Sequence, residues 1–347
     1  MMYKESISGG NKYRQAYRAA IEKLADKMEE NSKIRRQTVI EEIKNNPERC
    51  REKFKAMLGR PLDSAEDKKV PNVNKIFVTE TDGVLVYRLQ IDVLGIPFYG
   101  ILFVREDNKK RPLVIVQHGG LGAPELCADF FEGGTENYND IIARVLKNDV
   151  NVFAPQLLLW RKELSDDEYT GTDVSYTDAM RRGIDNRLKQ FGSSVAALEI
   201  FCITKSIDYF ESQPYVDFQK IGMMGMSYGG FYALYTSAVE TRIKCCLCCS
   251  FFNDRIKYNW TDFVWFNSGN LFTDTETALL LGSRRLYICI GDEDEVFDFD
   301  SGVKTWEELE KNLGNENNVR FIKFHGKHEF IKDDEPICGF INDLRGN

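Results

Sequence analysis

The chain of 347 residues lacks several features that are typical of membrane proteins, nucleic-acid-binding proteins and disordered proteins. It contains no run of eighteen apolar residues, so no segment is predicted to span a bilayer. It has no basic excess: 46 Lys and Arg stand against 54 Asp and Glu, and this net charge of -8 argues against nucleic acid and anionic membranes as partners. Only nine prolines and no low-complexity tract occur, which excludes wholesale disorder. The first residues lack the apolar stretch of a secretory signal, so the cytoplasm is the expected compartment.

The nine cysteines lack the arrangement of a metal site. Four of them fall within 245–249, whereas a zinc site needs thiolates two to four residues apart across a turn, usually with a second cluster. This run lies in a predicted strand, in which neighbouring side chains point to opposite faces. We therefore interpret the thiols as small buried apolar groups, and we predict no bound metal and no organic cofactor.

The first seventy residues are predicted to form a charged helical extension, separate from a catalytic domain over 71–347. Apolar residues recur at helical spacing from Tyr13 to Glu30, a second helix is predicted from Ile34 to Lys44, and a third from Pro47 to Leu58. Helices of these lengths are not stable alone, so their apolar faces must be buried. We favour burial against the same chain, and a homo-oligomer formed through these helices stays open.

From residue 71 onward, strands alternate with helices, which predicts a mostly parallel sheet with helices on both faces. Eight strands are predicted, at residues 84–94, 98–105, 112–117, 150–155, 221–224, 243–250, 286–290 and 319–324. The first two are expected to be antiparallel. Two long connections, 156–192 and 251–280, are predicted to cover the strand ends, and we call them the cap segments.

The motif Gly225-Met226-Ser227-Tyr228-Gly229 is the centre of the functional prediction. The pattern G-x-S-x-G is short, but here an apolar strand precedes it and a helix-forming run begins after it. A sharp turn between the strand and the helix would expose the hydroxyl of Ser227, and the glycines would relieve crowding. We therefore predict Ser227 as a nucleophile rather than as the buried serine of a glycine-rich turn.

A serine hydroxyl needs a base to take its proton, and the chain has only three histidines. In a strand–turn–helix site of this kind the acid and then the histidine follow the serine along the chain, which excludes His118 as the base. The base is therefore His325, at the end of the last predicted strand, or His328, in the loop beyond it. We favour His328, because a side chain in that loop can reach over Ser227.

The acid is expected in the loop that follows strand 286–290, where several carboxylates are crowded together. Asp294 is favoured, because it lies far enough past the strand to turn back towards His328. Asp292 remains the alternative, and a merely solvated acidic loop is the third possibility.

The glycine-rich stretch 118–122 follows a buried strand and is the fourth functional element. Acyl transfer develops negative charge on the carbonyl oxygen, which backbone N–H groups can stabilise. We predict the amides of Tyr228 and Gly120 as these donors. His118 is expected to hold the loop in place through hydrogen bonds.

Together these elements resemble the serine α/β-hydrolases, from about residue 75 to the C-terminus. Within that superfamily the chain is similar to the dienelactone hydrolase and acetyl xylan esterase-like group, through stretches 99–102, 207–210, 216–217 and 326–330. The stretch 57–62 resembles the N-terminal extension of acetyl xylan esterase-like hydrolases. The elbow at 225–230 is also similar to that of prolyl-oligopeptidase-type peptidases, which usually carry a β-propeller that this sequence lacks. Dienelactone hydrolases themselves use a cysteine where this chain has Ser227.

The resemblance implies an α/β-hydrolase fold and a carboxylic-ester hydrolase that acts through an acyl-serine intermediate on a small-molecule ester. Short acyl groups, above all acetyl, are the expected substrates, since long cap segments narrow a pocket. A peptidase without a propeller and a binding protein with little turnover remain the alternatives. Because all the catalytic positions carry competent residues, the enzyme is favoured.

Aromatic residues are concentrated in the two cap segments, and among them are Trp160, Tyr169, Tyr176, Phe251, Phe252, Trp260, Phe263, Trp265 and Phe266. They could stack on a sugar or an aryl acyl group, or they could form the core of the cap segments. For any single residue the core is the favoured alternative. The sequence leaves the acyl and alcohol parts of the substrate open.

Overall fold

A computed structural model describes residues 2–63, 70–130, 136–159, 173–314 and 317–346; the side chains of residues 136 and 173–179 fall outside this description. Within these ranges nine strands form one sheet, in the order β1-β2-β3-β5-β4-β6-β7-β8-β9. The strands are Val73–Thr81 (β1), Val84–Val93 (β2), Ile96–Val104 (β3), Arg111–Gln117 (β4), Asn151–Pro155 (β5), Val216–Met226 (β6), Ile243–Cys249 (β7), Arg285–Gly291 (β8) and Val319–Phe324 (β9).

The predicted fold class is confirmed, since the strands from β4 to β9 are parallel and β1 to β3 are antiparallel. The sheet has nine strands in the described ranges, where eight were expected. The additional strand is β1, which pairs only with β2 at the edge of the sheet. Its side chains Ile76 and Phe77 are 51% and 56% exposed, so the strand has no buried face and no clean alternation to reveal it.

Ten α-helices lie within the described ranges, and several of them pack on the two faces of the sheet. They are Asn11–Asn45 (α1), Pro47–Leu58 (α2), Pro124–Cys127 (α3), Ile141–Leu146 (α4), Asp173–Lys189 (α5), Val195–Glu211 (α6), Tyr228–Val239 (α7), Asp274–Leu279 (α8), Phe299–Glu310 (α9) and Glu335–Arg345 (α10). Strand β4 shows how the sheet divides the interior: Leu113 and Ile115 enter one apolar core, and Val114 and Val116 enter the other. Residues of α2, α6 and α7 fill the first core, and residues of α4 and α10 fill the second.

The N-terminal extension contains two long helices instead of the three expected. The predicted break between Glu30 and Ile34 does not occur, because Asn31 and Ser32 continue the helix and the Ser32 hydroxyl donates to the backbone oxygen of Glu29 at 2.6 Å. The second helix begins at Pro47, as the sequence predicts, and the side chain of Asn46 accepts a hydrogen bond from the Arg49 amide.

Only the C-terminal part of α1 joins the body of the protein. Val39 and Ile43, together with Phe54 and Leu58 of α2, belong to the first apolar core. Arg36 is buried as well and lies 3.4 Å from the carboxylate of Glu276 in α8. By contrast, every residue from 11 to 31 is exposed.

All nine cysteines are free thiols, and all except the half-buried Cys338 are buried. Strand β7 distributes its thiols as the alternation predicts: Cys246 and Cys248 lie in the first core, and Cys245 and Cys249 lie in the second. Among the described residues, no group of three or more His, Cys, Asp or Glu side chains could hold a metal ion. No helix in the described ranges is both long enough and apolar enough to cross a membrane.

Candidate active site

Ser227 occupies the sharp turn between β6 and α7. Its backbone has φ 58° and ψ -125°, a conformation that costs a residue with a side chain about 1–3 kcal/mol and is kept only where surrounding contacts enforce it. The Ser227 amide donates to the carbonyl oxygen of Cys249 at the end of β7, at 2.9 Å. The serine is therefore held at the carboxyl ends of two adjacent parallel strands. It is only 7% exposed, so it lines a cavity instead of standing open to solvent as the sequence predicts.

The two glycines of the motif allow this turn to close. A Cβ atom on Gly225 would lie 2.4 Å from the backbone of Gly229. A Cβ atom on Gly229 would lie 2.1 Å from the backbone oxygen of Gln117 at the end of β4. Any side chain at either position would push the elbow away from the sheet, so the spacing of the motif has a steric cause.

His328 and Asp294 form a pair in which the carboxylate is buried and the imidazole is half-buried. The Nδ1 atom of His328 lies 2.9 Å from one carboxylate oxygen of Asp294 and 3.1 Å from the other. The Asp294 side chain is 2% exposed, and its Oδ1 atom accepts from the amides of Val296 and Phe297 at 2.8 and 2.9 Å. A hydrogen on Nδ1 is thus directed to the carboxylate, which leaves Nε2 as the basic nitrogen.

The alternative residues form a pair of their own, at the surface. His325 Nδ1 lies 3.2 Å from Asp292, and the two side chains are 79% and 43% exposed. This pair does not contribute to the wall of the cavity beside Ser227. Of the two histidines, His328 is the one that lies in the wall of the cavity beside Ser227.

That cavity has a volume of about 530 Å³. Ser227, His328 and Gly120 lie in its wall, and Trp260 and Arg181 are among the other lining residues. In the described part of the chain no direct hydrogen bond joins Ser227 to His328. Catalytic hydrogen bonds are often long before substrate binds, so a shared wall is the relevant arrangement.

The loop that carries His328 is fixed by neighbouring segments on both sides. The Phe330 amide donates to the backbone oxygen of Asn137 at 2.7 Å, and the Asn139 side chain donates to the Phe330 oxygen at 2.6 Å. On the other side the Ser250 hydroxyl donates to the Glu329 oxygen at 2.7 Å. These hydrogen bonds fix the loop and so position the imidazole over the strand ends. None of them involves the imidazole ring itself.

The glycine-rich loop after β4 lies against the elbow. The Gly119 amide donates to the hydroxyl of Tyr138 at 2.9 Å, so Gly120 is the next amide along the loop that can serve substrate. A Cβ atom on Gly120 would lie 3.3 Å from the ring of Tyr228, the first residue of α7. The predicted donors Tyr228 and Gly120 are therefore neighbours in the wall of the same cavity.

His118 is buried completely and is not among the residues that line the cavity. Its Nδ1 lies 2.7 Å from the Gly119 oxygen, and its Nε2 accepts from the Leu157 amide at 2.9 Å. These partners fit a neutral ring with the hydrogen on Nδ1. Burial lowers the pKa of His118 to about 4, which keeps the ring neutral and in its bridging position.

The His118 pKa predicts a specific loss of stability in mild acid. Below pH 6.5 the unfolded chain takes up a proton at this position, whereas the folded chain does not do so until about pH 4. The contribution is complete above pH 6.5 and falls by about 1.4 kcal/mol per pH unit through this window, or about 3 kcal/mol in all. Urea unfolding of the wild type and of His118→Asn between pH 7.5 and 4.5 measures it. The variant should show the shallower dependence on pH, and equal slopes would contradict the assignment.

A buried ion network that the sequence did not indicate reaches the wall of the cavity through Arg181 and Asp262. Arg181 of α5 donates to Asp262 at 2.6 Å, to Glu199 at 3.1 Å and to the hydroxyl of Tyr232 at 2.8 Å. Burial disfavours the charge, but the Glu199 carboxylate and its neighbours outweigh that effect and raise the pKa of Arg181. The Tyr228 hydroxyl donates to Asp262 at 3.3 Å, so the network connects both cap segments to the start of α7, next to Ser227.

The aromatic residues of the cap segments divide between core and cavity. Phe251, Phe252 and Phe263 are fully buried, which agrees with the core alternative. Trp260 lines the cavity and stacks on Tyr228 with ring centroids 5.8 Å apart, whereas Phe266 is 99% exposed. Trp160 and Tyr169 lie outside the described residues, as does the side chain of Tyr176.

In the comparison with known protein families, one family matches this chain. The sequence profile of the dienelactone hydrolase family matches residues 99–342, which is most of the chain and includes every candidate site residue. No curated protein sequence matches the chain.

Solved structures share the fold at low sequence identity. A glucuronoyl esterase from Solibacter usitatus is similar over 85% of this chain and 91% of its own, at 12% identity and a TM-score of 0.60. An acetyl xylan esterase from a Paenibacillus species is similar over 80% and 90%, at 16% identity and a TM-score of 0.51. A cold-adapted esterase from an Arctic intertidal metagenomic library is similar over 77% and 96%, at 16% identity and a TM-score of 0.52. At these identities the likeness establishes the fold.

Proposed function

This chain belongs to the dienelactone hydrolase family, and from that premise we propose that it is a serine hydrolase that cleaves short-acyl carboxylic esters. One observation carries the proposal. His328, bonded through Nδ1 to the buried Asp294, lies in the wall of the same cavity as the strained Ser227. A nucleophile, a base and an orienting carboxylate are the three groups that acyl transfer through serine requires.

In the proposed mechanism the Ser227 oxygen attacks the ester carbonyl while His328 Nε2 takes the hydroxyl proton. The amides of Tyr228 and Gly120 stabilise the negative charge that develops on the carbonyl oxygen. The imidazolium, held by Asp294, then gives its proton to the leaving alcohol, and the acyl-serine remains. Water, deprotonated by His328, attacks the acyl group and releases the carboxylic acid and the free serine. No step needs a metal or an organic cofactor.

The acyl side of the substrate is proposed to be small, with acetyl preferred. The cavity of about 530 Å³ must hold both the acyl group and part of the alcohol, and Trp260 and Tyr138 contribute bulky walls. Trp260 cannot shift freely, since it packs on Tyr228 and on Phe263. The acetyl xylan esterase among the structural neighbours agrees with such a preference.

A reducing cytoplasm is the proposed compartment, in which buried thiols such as Cys246 persist.

A series of p-nitrophenyl esters from acetate to decanoate tests the acyl preference. We expect kcat/KM to fall by about tenfold or more between acetate and octanoate, because a hydrophobic pocket discriminates by roughly that factor against methylenes that it cannot accommodate. Acetylated sugars and aminoacyl amides complete the panel, with Ser227→Ala as the blank. Faster turnover of octanoate than of acetate would contradict the short-acyl preference. Faster turnover of aminoacyl amides than of any ester would favour the peptidase instead.

A further inference from the structure

The first part of α1 presents an apolar face that nothing in the described chain covers. Residues 11–31 are all exposed, although α1 is continuous and its C-terminal part is anchored in the core. The apolar side chains Tyr13, Tyr17, Ile21, Leu24 and Met28 are 68%, 72%, 50%, 58% and 60% exposed. An apolar patch of this size on a helix marks an interaction surface.

The spacing of these residues fits a helix as the partner. Successive members of the set are separated by four, four, three and four residues, which places them on one side of the helix as a narrow stripe. A stripe of this width is the seam along which two helices pair. It extends over about 22 Å of helix at 1.5 Å per residue.

The charges along one edge of the stripe make it complementary to itself. At about 100° per residue, Arg14 lies about 60° from the middle of the stripe, and Arg18 and Glu29 lie about 100° and 120° from it on the same side, with the two cations first along the helix and the anion last. In an antiparallel pair of identical helices the same edges face each other, so the basic end of each copy lies beside the acidic end of the other. Arg18 and Glu22 already form an ion pair at 2.7 Å within one helix, with side chains 81% and 57% exposed.

We propose that residues 11–31 of α1 pair antiparallel with the same segment of a second copy of this chain, and so form a homodimer. Two stripes together bury roughly 1,000 Å², near the lower limit for a specific interface. The antiparallel arrangement also puts the two globular bodies at opposite ends of the helix pair, about 30 Å of helix apart. The dimer is independent of the proposed ester hydrolysis, because the stripe contributes no residue to the cavity beside Ser227.

The oligomeric state of the full chain tests the proposal. Light scattering after size exclusion should give about twice 40.0 kDa for the wild type at tens of micromolar. Leu24→Glu should weaken the dimer by about a hundredfold or more and give a monomer, because it buries a charge in the seam. Ala19→Glu is the matched control: it adds the same charge on the opposite, exposed face of the same helix and should leave the dimer intact. Both variants should keep wild-type esterase activity.

Crosslinking tests the orientation. In a Cys338→Ser background, chains with Tyr13→Cys should form a disulfide with chains carrying Met28→Cys upon mild oxidation, whereas neither variant alone should crosslink. Crosslinking of each variant with itself would overturn the antiparallel arrangement. A monomeric wild type, an equal response of the two glutamate variants, or sedimentation of the chain with phosphatidylglycerol vesicles in place of dimerisation would overturn the proposal as a whole.

Discussion

Ser227→Ala is expected to reduce kcat for ester hydrolysis by about a millionfold, because the variant loses the atom that forms the acyl intermediate. The effect should be confined to chemistry. The backbone of Ser227 is fixed by the hydrogen bond from its amide to the Cys249 carbonyl oxygen and by the close approach of Gly225 to Gly229, and alanine keeps both contacts. KM should therefore change little. The residual rate of hydrolysis should approach the rate that the backbone amides alone can support by stabilising the negative charge on the carbonyl oxygen.

Ser227→Gly separates catalysis from strain at the same position. Glycine adopts φ 58° without the penalty that a side chain carries there, so this variant should be about 1 kcal/mol more stable than Ser227→Ala. It should be as inactive as the alanine variant. Activity above one per cent of the wild type in either variant would rule out Ser227 as the nucleophile. Equal unfolding free energies would show that the turn is unstrained.

After Ser227→Ala, the largest losses of activity are expected from substitutions in the His328–Asp294 pair. His328→Ala should cost about as much as loss of the serine, since residues of a triad act as a unit. Asp294→Asn should lower kcat by about ten-thousandfold. Asparagine can still accept hydrogen bonds from the amides of Val296 and Phe297, so the loop should persist while the imidazole loses its anionic partner.

The surface pair provides the matched control. His325→Ala and Asp292→Asn make the same chemical changes in side chains that are 79% and 43% exposed and lie outside the cavity wall. Their kcat values should stay within about twofold of the wild type, as is usual for exposed positions that do not touch substrate. Initial rates on p-nitrophenyl acetate for all four variants decide the assignment. A large loss of activity in the variants of the surface pair, with activity retained in the variants of the His328–Asp294 pair, would reverse the assignment.

The local features of the site could be predicted from the sequence because short-range sterics determine them. The Gly225 to Gly229 pattern, a preceding strand and a following helix suffice to predict a sharp turn at Ser227, and the structure contains that turn. The choice between Asp292 and Asp294 could not be made in this way. It depends on which carboxylate folds back beneath the His328 loop, a contact between residues 34 positions apart.

Ion pairs between distant segments are the feature that could least be predicted from the sequence. Arg181, Glu199 and Asp262 lie on three separate segments, and each one alone resembles an ordinary surface charge in the sequence. Helix α1 shows a related limit, since its uncovered apolar stripe and its buried C-terminal part have the same periodicity. Periodicity indicates that a face is apolar, but it does not identify what covers that face.

Because the thiols are buried, the rate at which each one is chemically modified reports local unfolding of the protein. Eight cysteines, distributed from α2 to β8, are inaccessible in the folded chain, and only Cys338 is half-buried. Burial raises the pKa of Cys246 to about 12, so at neutral pH this thiol is also kept from the reactive thiolate form. An aromatic disulfide reagent should therefore modify about one site promptly and the remainder at the rate at which each region of the fold separates. Mass spectrometry of the labelled peptides would rank the segments by local stability, with no engineered probe in the chain.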